Sequence, residues 1–218
     1  MGATYWKFNG DSCQIEMVGL TPQPPRGSEQ SIVCENFSEK NRTLLHVIRI
    51  VLKGYSLPGM LPPELVELQY LREISLLANR LSGEIPKELG NIASLTYLNL
   101  EANKFSGVLP PELGDLINLK TLRINDNNFS GPIPDYIQNW KQLTRIEMQA
   151  SGLEGPIPLS ISLLDKLTEL RISDMTGKSQ GFPLLNNMTG IINLVLRNCN
   201  ISGEIPAYIW KMKELEML

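Results

Sequence analysis

An aliphatic residue recurs at intervals of 24 along most of this 218-residue chain: Val47, Leu71, Leu95, Leu119, Leu143, Leu167, Ile191 and Leu215. A period of that length leaves few architectures open. One unit is a single strand and a turn, too small to bury its own apolar side. Units must therefore stack, each covering the next, around one continuous core. The shared pattern is L-x-x-L-x-L-x-x-N-x-L-S-G-x-I-P-x-x-L-G-x-L-x-x. It is clearest in Leu71, Ile74, Leu76, Asn79, Leu81, Gly83, Ile85, Pro86, Leu89 and Ile92. The next copy supplies Leu95, Leu98, Leu100, Asn103, Phe105, Gly107, Leu109, Pro110, Leu113 and Leu116. Seven full units span 47–214, and an eighth begins at Leu215 and stops at Leu218, which reads as a fragment of a longer chain. Residues 1–46 form an N-terminal cap, and Pro22, Pro24 and Pro25 predict that it is irregular.

Within a unit, L-x-x-L-x-L predicts a short strand whose alternate residues point inward. Stacked strands give an α/β-type repeat solenoid, a curved right-handed superhelix. Its parallel sheet lies on the concave face and short helical or 3-10 turns on the convex one. Strands are expected to begin near Val47, Leu71, Leu95, Leu119, Leu143, Leu167 and Ile191. The ninth position holds an inward asparagine (Asn79, Asn103, Asn127) that satisfies buried backbone groups of the turn. Tyr55, Ser151, Met175 and Cys199 stand there in other units, and Tyr55 and Met175 are expected to weaken the ladder locally. Cys199 reads as a buried thiol in that slot. Trp140 shares the core column of Ile92 and Leu116, whereas Trp210 shares the outer column of Gly90 and Gly114.

The rest of the sequence argues by exclusion. A net charge of −3 and a sequence pI near 5.3 disfavour nucleic acid, which selects a basic face. No stretch approaches the roughly 18 apolar residues of a membrane span, and no signal peptide is visible at Met1–Trp6. The cysteines are Cys13, Cys34 and Cys199, an odd number with no CxxC. With His46 as the sole histidine, no metal site is expected. His46 reads as structural, and one histidine makes a hydrolase triad unpersuasive. No G-x-G-x-x-G, H-R-D, D-F-G or G-x-S-x-G occurs, so the chain is expected to bind rather than catalyse, without a cofactor.

Binding surface comes from the outward strand positions, which repeat about 4.8 Å apart from unit to unit. The third position reads Arg49, Glu73, Tyr97, Thr121, Arg145, Glu169, Asn193. The fifth reads Val51, Ser75, Asn99, Arg123, Glu147, Arg171, Val195, and the seventh Lys53, Leu77, Glu101, Asn125, Gln149, Ser173, Arg197. All three columns are expected to be exposed. The candidate partner-binding residues are Tyr97, Arg123, Arg145, Glu147 and Arg171, since arginine and tyrosine anchor many interfaces. Mutual pairing of Arg123, Glu147 and Arg171 along their column accounts for the same residues without a partner. Five sequons, at Asn36, Asn41, Asn128, Asn187 and Asn200, favour a secreted setting. Asn128 and Asn200 lie 72 residues apart, three units, so both are expected on one edge.

The S-G-x-I-P segment at Ser82–Pro86 and Ser202–Pro206, with variants at Ser106–Pro110, Ser130–Pro134, Glu154–Pro158 and Pro58–Pro62, resembles the plant-specific leucine-rich repeat. One unit is irregular: L-T-E-L-R-I-S-D-M-T-G-K-S-Q-G-F-P from Leu167, with Pro183 one place late. It is followed by L-R-N-C-N. Together with the first-unit run V-L-K-G-Y-S-L-P-G-M-L-P-P-E-L, this resembles plant receptor-like serine/threonine kinases whose ectodomain joins leucine-rich repeats to a malectin-like domain. The resemblance implies an extracellular module at the plasma membrane, part of a longer single-pass kinase. It implies a protein, peptide or cell-wall glycan ligand, with a co-receptor beside it. A free-standing secreted inhibitor of a cell-wall enzyme is the alternative. The family's cap implies a Cys13–Cys34 disulfide. Leu44 and Leu45 stand near where relatives carry a further cysteine, which puts a second bridge in doubt.

Overall fold

The computed structural model describes residues 6–8, 15–17, 25–39 and 42–218. The expected stack is present. Strands Arg42–Lys53, Glu73–Ser75, Tyr97–Asn99, Thr121–Arg123, Arg145–Gln149, Glu169–Ser173 and Asn193–Arg197 lie side by side in one sheet. Their pairing is parallel and in strict 24-residue register, so that Tyr97, Thr121, Arg145, Glu169 and Asn193 form one row. Six of the strands begin two residues after the periodic aliphatic residue. That residue is itself wholly buried at the corner where the chain enters the sheet, as at Leu71, Leu95 and Leu119.

Beside this sheet the S-G-x-I-P segments form a second, narrower parallel sheet from Pro58–Gly59, Arg80–Gly83, Lys104–Gly107 and Asn128–Phe129. The proline closing each segment precedes a five-residue 3-10 turn, at Pro63–Glu67, Lys87–Asn91, Pro111–Asp115, Asp135–Asn139 and Leu159–Leu163. Proline holds the extended backbone there, and its carbonyl accepts the hydrogen bond that closes the turn, as in Leu89 N–H to Pro86 O at 3.0 Å. Among the described residues the turn face thus carries 3-10 turns and no α-helix. The core runs unbroken through every unit, and Phe105 and Phe129 stack with centroids 6.3 Å apart. Trp140 is buried as its column demands, its indole N–H donating to Leu113 O at 2.9 Å, while Trp210 is 72% exposed.

The N-terminal side differs from the irregular segment expected. Glu29–Glu39 pairs antiparallel with Arg42–Lys53 in a long hairpin with one register shift between Val33 and Cys34. The run Leu44–Leu52, rich in Val and Ile, is a strong strand former. It extends the first unit's strand backward past residue 47, so the cap and the first unit share one strand. Its free edge needs a hydrogen-bonding partner, and Glu29–Glu39 supplies it. Phe37, His46 and Tyr70 close against one another at the hairpin's end, with His46 and Tyr70 stacked at 4.3 Å. Cys34 is disulfide-bonded, and Cys199 is free and buried. Cys13 lies outside the described residues, as do Pro22 and Pro24.

The ninth-position ladder works as the pattern requires. Asn79 accepts from the backbone N–H of Tyr55 and Leu57 and donates to Leu52 O and Leu76 O. Cys199 reproduces the donor half, its thiol reaching Ile172 O at 3.5 Å and Arg197 O at 3.3 Å. Burial pushes its pKa up and keeps it a thiol. Met175 makes a different compromise. Its unit has Gly177 where the five preceding units bury Leu or Phe two places after the slot, and Met175 itself is buried, 5% exposed. Leu153 N–H, which an asparagine in this slot would receive, turns instead to Ser151 Oγ at 3.4 Å. The Gln180 side chain bonds other groups, accepting from Ile157 N–H at 2.8 Å and donating to Cys199 O at 3.0 Å.

Candidate functional site

The strand face carries all five residues singled out from the sequence, and they belong to one network. Tyr97 and Arg145 project from the third position of their strands, Arg123, Glu147 and Arg171 from the fifth. Parallel register brings Arg123 directly beside Glu147, and Glu147 beside Arg171. Arg123 Nε donates to Glu147 Oε2 at 2.9 Å and its Nη2 to Glu101 at 2.5 Å. Arg145 donates to Glu147 Oε1 through Nε at 2.6 Å and Nη2 at 2.5 Å, and reaches Glu169 at 3.3 Å. Arg171 turns to Glu169 on its own strand, at 3.6 Å, rather than to Glu147. Pairing within the column therefore holds for Arg123 and Glu147 and fails for Arg171. The third- and seventh-position carboxylates, Glu169 and Glu101, were not singled out, although alternation of charge across neighbouring columns signalled them.

The expectation that all three columns are exposed is corrected. Glu147 is buried, as are Val51, Ser75, Asn99, Asn125 and Ser173. Columns stand two residues apart along each strand, about 6.6 Å, so long neighbouring side chains lie over shorter ones at the fifth and seventh positions. What faces solvent is the outer side of Tyr97, Thr121, Arg145, Arg171 and Gln149.

Burial would raise the Glu147 pKa. Hydrogen bonds from Asn125 and Arg145 and the charges of Arg123 and Arg145 outweigh it, and the carboxyl is held below the usual range. For Arg123, burial works downward, but Glu147 and Glu101 outweigh it and the guanidinium is held above its usual value. A carboxyl depressed by folding contributes stability above its unfolded pKa and loses that contribution as pH falls through the folded one. The thermal midpoint is therefore expected to be flat near neutrality and to fall below about pH 4.3, the unfolded glutamate value. Glu147→Gln should flatten that acid limb. Melting curves of both proteins across pH check this, and identical limbs would count against it.

The irregular unit forms a second polar centre. The Asp174 carboxylate accepts from Ser173 Oγ, Asn198 Nδ2 and Arg197 Nη2, and these hold its pKa down at about 2. Behind it, Gly181 stands where other units place Leu61, Ile85, Leu109, Ile133 and Ile157. The missing side chain leaves an open groove of about 330 Å³ lined by Pro156, Leu159, Gln180, Phe182 and Leu184. Of the sequons, Asn36, Asn128, Asn187 and Asn200 are exposed, while Asn41 lies outside the described residues. Among the described residues no group of His, Cys, Asp or Glu is placed to hold a metal ion, and no helix is long and apolar enough to cross a membrane.

Comparison with known proteins agrees with this architecture. The family model described as Leucine Rich Repeat matches residues 94–116, 118–140 and 190–212. A probable leucine-rich-repeat receptor-like serine/threonine-protein kinase of Arabidopsis thaliana, RFK1, is 49% identical over 79 residues, which are 36% of this chain and 8% of that protein. The chain thus spans a small part of the relatives it matches. Among solved structures, the ectodomain of the Arabidopsis thaliana receptor kinase GASSHO1/SCHENGEN3, in complex with Casparian strip integrity factor 2, superposes with a TM-score of 0.75 at 29% identity. That match covers 86% of this chain and 25% of the other. The Arabidopsis receptor kinase HAESA, in complex with the peptide hormone IDA and the co-receptor SERK1, gives 0.72 at 30% identity, covering 78% and 29%.

Proposed function

We propose that this leucine-rich-repeat solenoid is a ligand-binding part of the ectodomain of a plant receptor-like serine/threonine kinase, and that its partners are a peptide and a co-receptor. The observation that carries the reading is the strand face, where polar side chains stand in rows on rigid parallel strands, already ordered by one another. Such pre-organisation lowers the entropic cost of holding an extended chain. Relatedness to receptor kinases, and likeness to a receptor ectodomain bound to a peptide hormone and a co-receptor, support the same reading. The chain is a binding module, and catalysis belongs to the kinase domain of its parent. In this reading the parent is anchored in the plasma membrane with this region outside. The residues around Asp174–Pro183 and the L-R-N-C-N run support a parent of the malectin-like type, and the apolar groove beside Gly181 suits a second protein contact there. A cell-wall glycan is a weaker candidate ligand, because Arg123 and Arg145 at the centre of the strand face are already engaged by carboxylates.

Tyr97 and Arg171 retain the most capacity for a partner. Immobilised protein probed with synthetic peptides of secreted plant hormones should give a binder whose affinity falls about tenfold, or about 1.4 kcal/mol, in Tyr97→Ala and Arg171→Ala. Lys87→Ala, on the turn face, should leave it unchanged. Binding that survives both strand-face changes but is abolished by changes in 174–183 would move the site to the irregular unit.

A further inference from the structure

We infer that Glu147 sets the specificity of the strand face: it fills, from within the chain, a carboxylate site built by Arg123, Arg145 and Asn125, and so excludes ligands that would present a carboxylate or sulfate there. The inference rests on the strand face being the ligand surface, and it names the class of ligand that surface admits.

Both oxygens of Glu147 are fully engaged. Oε1 accepts from Nε and Nη2 of Arg145, and Oε2 accepts from Arg123 Nε and Asn125 Nδ2, each at 2.9 Å. The donors are themselves held. Asn125 Oδ1 accepts Gln149 N–H at 2.7 Å, Arg123 is braced by Glu101, and Arg145 by Glu169. This is a rigid receptor for a planar anion, with guanidinium donors meeting the carboxylate from both sides. Its occupant is tethered and only 4% exposed.

A free carboxylate must compete with that tethered one, which enjoys the effective concentration of an intramolecular group. It would also have to expel a side chain that is only 4% exposed. The charge count points the same way. Glu101, Glu147 and Glu169 balance Arg123, Arg145 and Arg171, so the centre of the face is neutral and an entering anion finds no net attraction. The segment of ligand that crosses units three to five is therefore uncharged, held by backbone amides, hydroxyls and side-chain amides against Tyr97, Thr121 and Gln149.

The test reads anion binding directly and needs no natural ligand. The probes are sodium formate, with sodium chloride at equal ionic strength as reference, and a tetraglutamate peptide. Wild type should melt at the same temperature in formate as in chloride and should not bind tetraglutamate. Glu147→Ala empties the site, so its melting temperature should be lower and should rise saturably with formate. That rise should vanish in Glu147→Ala combined with Arg123→Ala. Glu147→Gln keeps the shape without the charge and should bind tetraglutamate about tenfold more tightly than wild type. If Glu147→Ala does not fold, the Glu147→Gln result decides. The inference is overturned if wild type binds tetraglutamate as tightly as Glu147→Gln does, or if folded Glu147→Ala responds to formate no more than to chloride. A hormone peptide found to dock elsewhere would overturn the strand-face reading while leaving the formate result intact.

Discussion

Gly90→Ala is expected to destabilise the protein by about 3 kcal/mol, the upper range for overpacking a close contact. Gly90 lies in the 3-10 turn Lys87–Asn91, where the second unit's turn meets the third's. A Cβ built on it would sit 2.0 Å from Glu112 O and 2.4 Å from its carbonyl carbon. Those atoms are backbone and cannot rotate away, so the two turns must separate and uncover the core beneath Leu89 and Leu113. Gly114 occupies the same column one unit on, but its Cβ would meet the Tyr136 side chain at 3.1 Å, which can give by a few tenths of an ångström. Gly114→Ala should therefore cost about 1 kcal/mol. Gly190→Ala, with nothing within 4 Å, should be neutral or slightly stabilising. Urea unfolding of the three variants checks the order. Equal losses at Gly90 and Gly190 would show that the turns are not in the contact described.

That column illustrates what the sequence made legible. The pattern places a glycine there, but only the packing of successive turns says that one is indispensable and another merely convenient. The core columns, the parallel register and the ladder all follow from the 24-residue period, because each is a property of position within a unit. Features that depend on what a neighbouring unit does were hidden. The antiparallel hairpin at Glu29–Lys53 arises because the first strand has no preceding unit to pair with, and an edge requirement leaves no periodic mark. The non-glycine residues just before the ladder slot, among them Ala78, Ala102 and Ala150, all adopt a left-handed backbone, with φ between 47° and 58°. Alanine gives no sign of that, since the strain is imposed by the turn and not chosen by the residue. Gln180, five positions beyond the slot, ties Ile157 N–H to Cys199 O across units, a bridge that no column would reveal.

On the candidate site the sequence placed the side chains on one face but did not give their state. Tyr97, Arg123, Arg145, Glu147 and Arg171 do converge. Column spacing alone could not say that Glu147 is buried, or that Arg171 would choose Glu169. Those outcomes depend on side-chain length and on which carboxylate each guanidinium reaches first.

Asn103→Ala should lose about 3 kcal/mol, because it strands several buried backbone groups at once. Asn103 Oδ1 accepts Leu81 N–H at 3.1 Å, and Nδ2 donates to Leu76 O at 2.9 Å and to Leu100 O and Glu101 O at 3.1 Å. The side chain thus ties the turns of two adjacent units together, and it also holds the left-handed residue Ala102 beside it. Alanine supplies neither donor nor acceptor, and Leu81 N–H lies in the buried interior. Cysteine at the same position should lose roughly half as much, since Cys199 shows a thiol reaching the equivalent carbonyls, 27 and two residues back, without an acceptor of equal strength. The loss should reach the strand face as well. Asn103 fixes the turn that follows Tyr97–Asn99, and relaxation there would carry Glu101 away from Arg123 and leave one guanidinium of the network underpaired. Chemical denaturation measures the first effect. A flatter acid limb of stability, like that expected for Glu147→Gln, measures the second. A loss below about 1 kcal/mol in Asn103→Ala, the size of a single ordinary hydrogen bond, would mean that core packing alone sets the register of the units and that the ladder merely follows it.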